Sequence, residues 1–342
     1  MIKCCPFCGK NYLGGNFCAF CAKDLRPFMS GEESHMTQQE VSFDDLALIA
    51  KQQADEIAKK QKEELAREEL MKNFGVNGTH LYDYYGNDNM VIIPDGIVTF
   101  ESHVFSHNHK IETIVVADTI SSIPEGAFSG CENLKHAIIG TNITSIANYA
   151  FEECVSLEDV YFAGAPNSVG KWAFYGCNKL TSFTIPDGVT HIGYSAFGET
   201  GLKEITIPNS VTSVEQEIFM RCKNLTAARL GEGMTAIPKW MFNDCKSLTN
   251  VLIPNSVTYI GDHAFEGCES LETITIPNSV TTIGELAFKK CHSLKSITIP
   301  NSVISLDWGA FVECENLMSI SLPKHLKDAP LMIPYECKII VR

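Results

Sequence analysis

Long apolar runs are the first feature that this 342-residue sequence lacks. No segment approaches the roughly 20 consecutive apolar residues that a transmembrane helix needs. The opening residues Met1-Ile2-Lys3 lead directly into cysteines, where a secretory signal peptide would carry its apolar core. We therefore expect no membrane span, and the sequence predicts a soluble cytoplasmic protein.

Basic charge is scarce as well. The chain has 27 Lys and Arg against 41 Asp and Glu, which gives a formal net charge of −14. Such a field repels phosphate backbones and anionic lipid, so nucleic acid is not expected as the main partner. Only the first 29 residues are locally basic, with four basic residues and one acidic residue.

Catalytic motifs are missing too. The sequence contains no nucleophile elbow, phosphate-binding loop or paired-carboxylate pocket, and we predict that the protein is not an enzyme. The one histidine cluster, His103, His107 and His109, surrounds Phe105. We interpret these histidines as exposed polar filler rather than a metal site, because they share no helical face with a fourth ligand.

What the chain does have is a 23-residue repeat, clearest from Ser247 to Cys314. Three successive lines read SLTNVLIPNSVTYIGDHAFEGC, SLETITIPNSVTTIGELAFKKC and SLKSITIPNSVISLDWGAFVEC. The same frame places Phe at 105, 128, 151, 174, 197, 219, 242, 265, 288 and 311, and Cys at 131, 154, 177, 222, 245, 268, 291, 314 and 337. The cysteine column breaks at Thr200, where one residue is missing. Self-similarity at this period indicates a stacked solenoid.

Each repeat is predicted to contain a short strand, a turn, a short extended piece and a helical turn. Ile297 and Ile299 alternate with polar residues, as in a strand with one buried face, and Pro300 ends that strand. Phe288 and Cys291 follow the spacing of a helical turn that packs inward. The cysteines are interpreted as small buried thiols without disulfides, because the column has one member per repeat and no pairing rhythm.

The pattern L-x-x-I-x-I-P-x-x-V-T-x-I-x-x-x-A-F-x-x-C resembles the BspA-like class of leucine-rich repeats from about Asn87 onward. Eleven units can be counted. The resemblance implies an α/β-type leucine-rich-repeat arc with a parallel sheet on its concave side, and a binding role without catalysis. Many members of that family are secreted or surface-attached adhesins, so an exported surface adhesin is the alternative to a cytoplasmic protein.

The first 29 residues carry a metal motif. Cys5-x2-Cys8 and Cys18-x2-Cys21 form two knuckles that offer four thiolates, the tetrahedral set that suits zinc. The segment resembles a short zinc ribbon with one structural zinc. Iron in a rubredoxin-like site and a redox C-x-x-C are the alternatives, although a thioredoxin-type site would need one pair in a βαβ context. Such a ribbon could dock a protein, serve structure alone, or act as a nucleic-acid or regulatory adaptor.

Residues 30–75 are predicted to be a polar linker and a helical spacer. Ser42 and Asp45 have the spacing of a capping box, and the helical pattern continues to about Asn73. Its large apolar residues are too sparse for a convincing coiled coil, so we expect a monomer, with dimerisation through residues 43–73 as the alternative. Residues 76–342 then form the repeat domain with a cap at each end.

The partner surface is predicted from the strands. In L-x-x-I-x-I, the residue between the two buried positions points to the concave face. Half of that column is Thr or Ser, which suit an exposed strand, and Val115, Ile138, Tyr161, Arg229 and Leu252 depart from them. We predict four of these five as anchors: Ile138, Tyr161, Arg229 and Leu252. The acidic neighbours Glu158, Asp159 and Glu204 favour a basic protein or peptide. Random drift of exposed residues is the alternative explanation.

Overall fold

The computed structural model describes residues 2–4, 11–13, 59, 64–65, 68–69 and 71–342. All four predicted zinc ligands, Cys5, Cys8, Cys18 and Cys21, lie outside the described residues. Of the predicted spacer, residues 59, 64–65, 68–69 and 71 are helical, and most of the remainder also lies outside. The ribbon and the long helix therefore stay predictions.

Strands provide nearly all regular structure in the part of the chain that is described. They are, in chain order, β1 (Ile2–Cys4), β2 (Asn11–Leu13), β3 (Phe74–Asn77), β4 (His80–Tyr84), β5 (Met90–Ile92), β6 (Thr99–Phe100), β7 (Thr113–Val116), β8 (Ser122–Ile123), β9 (His136–Ile139), β10 (Ser145–Ile146), β11 (Asp159–Phe162), β12 (Ser168–Val169), β13 (His191–Ile192), β14 (Glu204–Thr206), β15 (Ser213–Val214), β16 (Ala227–Arg229), β17 (Ala236–Ile237), β18 (Asn250–Leu252), β19 (Tyr259–Ile260), β20 (Thr282–Ile283), β21 (Ser296–Thr298), β22 (Ser305–Leu306), β23 (Ser319–Leu322) and β24 (Lys338–Val341). A short 3-10 helix, Lys324–Leu326, precedes β24.

The repeats stack into a parallel β-solenoid of about 11 coils. The long-strand ladder consists of β5, β7, β9, β11, β14, β16, β18, β21, β23 and β24, and the short-strand ladder of β8, β10, β12, β13, β15, β17, β19, β20 and β22. Equal positions of successive repeats pair in register, as Ile138 does with Tyr161 in the long strands and Ser145 with Ser168 in the short ones. The 23-residue period is thus the length of one coil.

The predicted helical turn in each repeat is wrong. The segment around each column phenylalanine consists of turns in which two residues, four apart, have positive φ, as Tyr149 (58°) and Glu153 (54°) do. Between them, the Phe151 N–H donates to Ala173 O of the next coil at 2.8 Å. A helix would direct this N–H to a carbonyl four residues back in its own chain. The fold is therefore a parallel β-solenoid rather than an α/β-type array.

A stack of aromatic rings forms the centre of the core. All ten column phenylalanines are at most 1% exposed. Adjacent rings have centroids 5.1–5.9 Å apart, and rings of neighbouring coils are nearly parallel. The prediction that this column is internal is confirmed.

The cysteine column lies beside these rings. Its nine members are free and buried, as predicted. Eight of them also donate a hydrogen bond from Sγ to the carbonyl of a column phenylalanine one coil earlier, as Cys154 does to Phe128 O at 3.1 Å. Burial raises the pKa of Cys131 to about 12, and it raises the pKa of the other buried thiols as well. These thiols are thus structural donors that resist ionisation, and the thiolate needed for redox or metal chemistry is disfavoured.

Proline interrupts the short-strand ladder. In most coils, the residue after the short strand donates its N–H to the previous coil, as Gly193 does to Val169 O at 2.8 Å. Pro124 and Pro238 occupy this position and have no N–H. At both places neighbouring short strands do not pair: β6, the short strand of the first coil, does not pair with β8, and β15 does not pair with β17.

The long-strand ladder is interrupted around residues 181–185 and 272–276. In the first interruption, Phe183 stands where other coils have an aliphatic residue or alanine. Its ring contacts Phe174 and Phe197, with centroids 5.0 and 4.9 Å away. The bulk of this ring explains the break between β11 and β14. No comparable substitution accounts for the second interruption.

A cap covers the first coil. Strands β3 and β4 form an antiparallel hairpin, and β4 continues into a parallel pairing with β6. Leu81 on β4 is fully buried, and the ring of Tyr84 packs on Phe105 with centroids 5.2 Å apart. Alternation from Thr79 to Ile93 predicted a strand or hairpin centred on residues 84–87, but the hairpin lies earlier, over Phe74 to Tyr84, with its turn at residues 78–79. At the other end, β24 pairs with β23, as predicted for a final strand.

A candidate binding face on the long-strand ladder

In the long strands of the repeats, the residue between the two core positions points outward. In β9, Ala137 and Ile139 are buried whereas Ile138 is half-buried, and in β16, Ala228 is buried whereas Arg229 is exposed. This alternation follows from the pleat of a strand with one face on the core. The four predicted anchors therefore share the outward face of the ladder, which we call the outer face.

The structure brings these anchors together as two pairs. Ile138 lies beside Tyr161 in adjacent strands, and Arg229 lies beside Leu252. Three coil steps separate Tyr161 from Arg229, a distance of roughly 14 Å at ~4.8 Å per coil. A partner that contacts both pairs must therefore span several coils.

The first pair belongs to a larger apolar cluster. Ile92, Val115, Ile138 and Tyr161 occupy equal positions in four adjacent strands. Met90, two residues before Ile92 on β5, is exposed and lies on the same face of that strand. Ile92 and Met90 were missed in the sequence because the first repeat departs most from the consensus. The Ile92-Ile93-Pro94 triplet, which matches the strand end of later repeats, could have located them.

Paired charges border this apolar cluster. His136 Nδ1 lies 2.9 Å from Asp159 Oδ2, and Lys135 Nζ lies 2.7 Å from Glu112 Oε2. The hydrogen bond from Lys135 to Glu112 raises the pKa of the Lys135 ammonium. Asp159 is thus already paired within the protein. Glu158, directly before it in the chain, is exposed.

The second pair is more open. Leu252 is 54% exposed, and Arg229 beside it is exposed as well. Thr206 is the register neighbour of Arg229 on the other side. An exposed leucine next to an arginine on a strand face offers an apolar contact and a bidentate donor at one place.

The histidines around Phe105 do not form a metal site. The His103 ring lies against Gly126 of the next coil, and the His107 ring lies against Gly130. Within residues 71–342 and the shorter described pieces, no group of three or more His, Cys, Asp or Glu side chains is placed to hold a metal ion.

The repeat architecture has known relatives. The family model described as BspA type leucine rich repeat region matches in six copies, over residues 98–226, 146–268 and 235–340. These matches cover more than half of the chain. The chain belongs to the BspA-type leucine-rich repeat family.

Solved leucine-rich repeat proteins resemble this BspA-type chain. A leucine-rich repeat protein from Bacteroides ovatus is 31% identical, with a TM-score of 0.70 over 76% of this chain and 67% of that one. A leucine-rich cell surface protein from Faecalibacterium prausnitzii is 24% identical, with a TM-score of 0.42 over 78% of this chain and 92% of that one. Among curated proteins, none matches this chain.

The described residues of this BspA-type chain contain no helix that could span a membrane. None of the helical segments there has both the length and the hydropathy for crossing a bilayer.

Proposed function

We propose that this BspA-type chain is a non-enzymatic binding module that holds a protein or peptide against its outer face. Ile138 and Tyr161 would anchor one part of the partner, and Arg229 and Leu252 the other. The observation that carries the proposal is the grouping of these four anchors into two register-matched pairs. Scattered drift would not be expected to place apolar residues on four adjacent strands.

The partner that suits this face is basic and extended. It is extended because the two anchor pairs lie about three coil steps apart, or roughly 14 Å. It is basic because the chain has a net charge of −14 and because Glu158 and Glu204 are exposed beside the two pairs. Opposite charge would steer such a partner toward the face and set its orientation.

The test compares capture of partners from the native cell by three forms of the full chain. The first is the wild type, the second Tyr161→Ala/Arg229→Glu, and the third a control, Thr275→Ala/Thr298→Ala, on the same face. We expect the wild type and the control to capture the same protein and the second form to lose it, as read by mass spectrometry. Equal capture by all three would reject the outer face as the site.

We also propose that residues 1–29 form a zinc ribbon, with Cys5, Cys8, Cys18 and Cys21 as ligands. Strands β1 and β2 pair antiparallel and flank the first C-x-x-C in sequence, which is compatible with a knuckle between them. Four thiolates suit zinc, and a segment this short needs the metal to fold. Elemental analysis should find about one zinc per chain, lost in Cys5→Ser/Cys18→Ser while the solenoid stays folded. Protein prepared with zinc present but containing no metal would contradict the ribbon.

A further inference from the structure

The three coils that contain Phe197, Phe219 and Phe242 stack less closely than the other coils of the solenoid. The residue before each column phenylalanine is alanine in most coils, but it is Ile218 in one of these coils and Met241 in the next. The ring centroids of Phe197 and Phe219 are 5.9 Å apart and those of Phe219 and Phe242 are 5.7 Å apart, against 5.1–5.5 Å along the rest of the column. Larger side chains between the coils explain this wider spacing.

A hollow opens on the short-strand ladder at the same coils, where Pro238 interrupts the hydrogen bonds. It is an open hollow with a volume of about 540 Å³. Val214, Ala236 and Pro238 provide apolar lining, and Tyr194 and Tyr259 come from the first and the last of the coils that line it. We call this hollow the Pro238 trough.

The trough reaches a residue that belongs to the core. Val214 occupies the inward position of its short strand. The other inward residues of the short strands β8 to β22 are no more than 5% exposed, whereas Val214 is half-buried. The trough therefore exposes apolar surface that the other coils cover.

The charged groups at the trough are already paired on the protein. Glu215 lies 3.4 Å from Lys171 and 3.5 Å from His191, and Lys239 lies 2.5 Å from Asp262. The Tyr194 ring already packs edge-on against Trp172, with centroids 4.9 Å apart, so the surface left open in the trough is that of Val214, Ala236, Pro238 and Tyr259. An aromatic side chain would cover this surface best, since aromatic rings bury a large area and pack favourably against other rings.

The rim of the trough has an excess of acid. Burial and the nearby Glu217 carboxylate raise the pKa of the Tyr194 hydroxyl, so Glu217 joins Glu215 and Asp262 near the opening. These three carboxylates stand against two lysines, Lys171 and Lys239. The net charge of −14 has the same sign. Basic residues next to the aromatic anchor would complement this rim.

We infer that the Pro238 trough binds an aromatic side chain of a partner peptide in which basic residues flank that side chain. The site lies on the short-strand ladder and is therefore separate from the outer face of the long strands. Its occupancy does not depend on the anchors of the proposed function, and either site can fail without the other.

The test uses three acetylated and amidated peptides, Gly-Arg-Trp-Arg-Gly, Gly-Arg-Ala-Arg-Gly and Gly-Glu-Trp-Glu-Gly, titrated into the full chain by calorimetry. We expect the first to bind with a dissociation constant below about 1 mM. The alanine peptide and the acidic peptide should each bind at least about tenfold more weakly, because one lacks the ring and the other repels the rim. No binding of the first peptide, or equal binding of the alanine peptide, would overturn the inference.

Matched variants locate the site. Ala236→Trp fills the trough without changing charge and should weaken the first peptide at least about tenfold. Ser145→Trp places the same side chain on the same face of the short-strand ladder, away from the trough, and should bind like the wild type. Tyr259→Ala removes one wall and should weaken binding about fivefold even if Ala236→Trp folds poorly. Equal affinity in Tyr259→Ala and the wild type would contradict the trough as the site.

Discussion

The last coils of the solenoid and its central coils use the same columns but pack differently. From Phe242 to Phe311, ring centroids lie 5.2–5.5 Å apart and the ring planes differ by 2–15°. From Phe197 to Phe242 the spacing is 5.7–5.9 Å and the planes differ by 15–23°. The columns thus continue through coils whose neighbouring residues do not fit the consensus.

The missing residue in the central coils shows how this continuity is kept. Thr200 takes the place of a column cysteine in the coil before the 22-residue step. Its hydroxyl donates to Phe197 O at 2.9 Å and lies 3.2 Å from Cys222 Sγ. Thr200 thus bonds within its own coil and contacts the thiol of the next coil, whereas no thiol among the described residues donates to Phe174 O. The larger misfit appears at the surface, where the Pro238 trough opens. In this solenoid, residues that depart from the repeat consensus disturb the surface more than they disturb the core.

The largest expected difference between the two regions is in the cost of removing a ring. Phe265→Ala should lower the free energy of unfolding by about 3–5 kcal/mol, because a closely packed buried ring leaves a cavity. Phe219→Ala should cost about 1–2 kcal/mol less, since its neighbours are farther away and the flexible Met241 can relax into the space. Urea unfolding followed by circular dichroism would measure both.

Cys268→Ser is the smaller-volume control for these two changes, because it keeps a donor for Phe242 O and should cost less than Phe265→Ala. Equal costs for the two alanine variants would mean that ring spacing does not report packing. A Phe265→Ala curve that overlaid the wild type would place the phenylalanine column outside the core.

Most of the fold could be predicted because each repeat places the same residue types at the same core positions. Strand alternation identified the outward column, and the phenylalanine and cysteine columns identified the interior. The helical turn was wrong because residues three apart, such as Phe288, Cys291 and Leu294, face the same side both in a helical turn and in the turns of a β-solenoid. Only the hydrogen bonds between coils distinguish the two.

The details of the surface were harder to predict. The thiol donor bonds join residues 25 or 26 apart, such as Cys268 and Phe242, and no pattern within one repeat shows that contact. The trough depends on Ile218, Pro238 and Met241 acting together, and each of these alone is an ordinary substitution. The separation of Tyr161 from Arg229 could have been predicted, because two repeats with threonine at the outward position, Thr184 and Thr206, lie between them in the sequence.

The smallest expected effect concerns the two prolines that break the short-strand ladder. Pro238→Gly restores an N–H that could bond Val214 O, as the Gly261 N–H bonds Ile237 O at 2.8 Å. Pro124→Gly is the matched control, in a coil that has Ala127 before its phenylalanine and a ring spacing of 5.3 Å. A restored bond contributes about 1 kcal/mol, and the added freedom of glycine in the unfolded chain offsets about 0.4–1 kcal/mol of it, so stability should hardly change.

Stability measurements cannot separate the possible causes of the trough, because stability should hardly change. Hydrogen exchange can separate them, since each substitution introduces a new backbone amide that can be followed. If proline alone interrupts the ladder, the new amides of Pro124→Gly and Pro238→Gly would both exchange slowly in nuclear magnetic resonance spectra. We expect slow exchange in Pro124→Gly and fast exchange in Pro238→Gly, because Ile218 and Met241 hold the central coils apart. Adding Met241→Ala to Pro238→Gly should then slow exchange of the new amide as the coils approach. Slow exchange in the single variant Pro238→Gly would assign the trough to proline and not to the bulky residues beneath it.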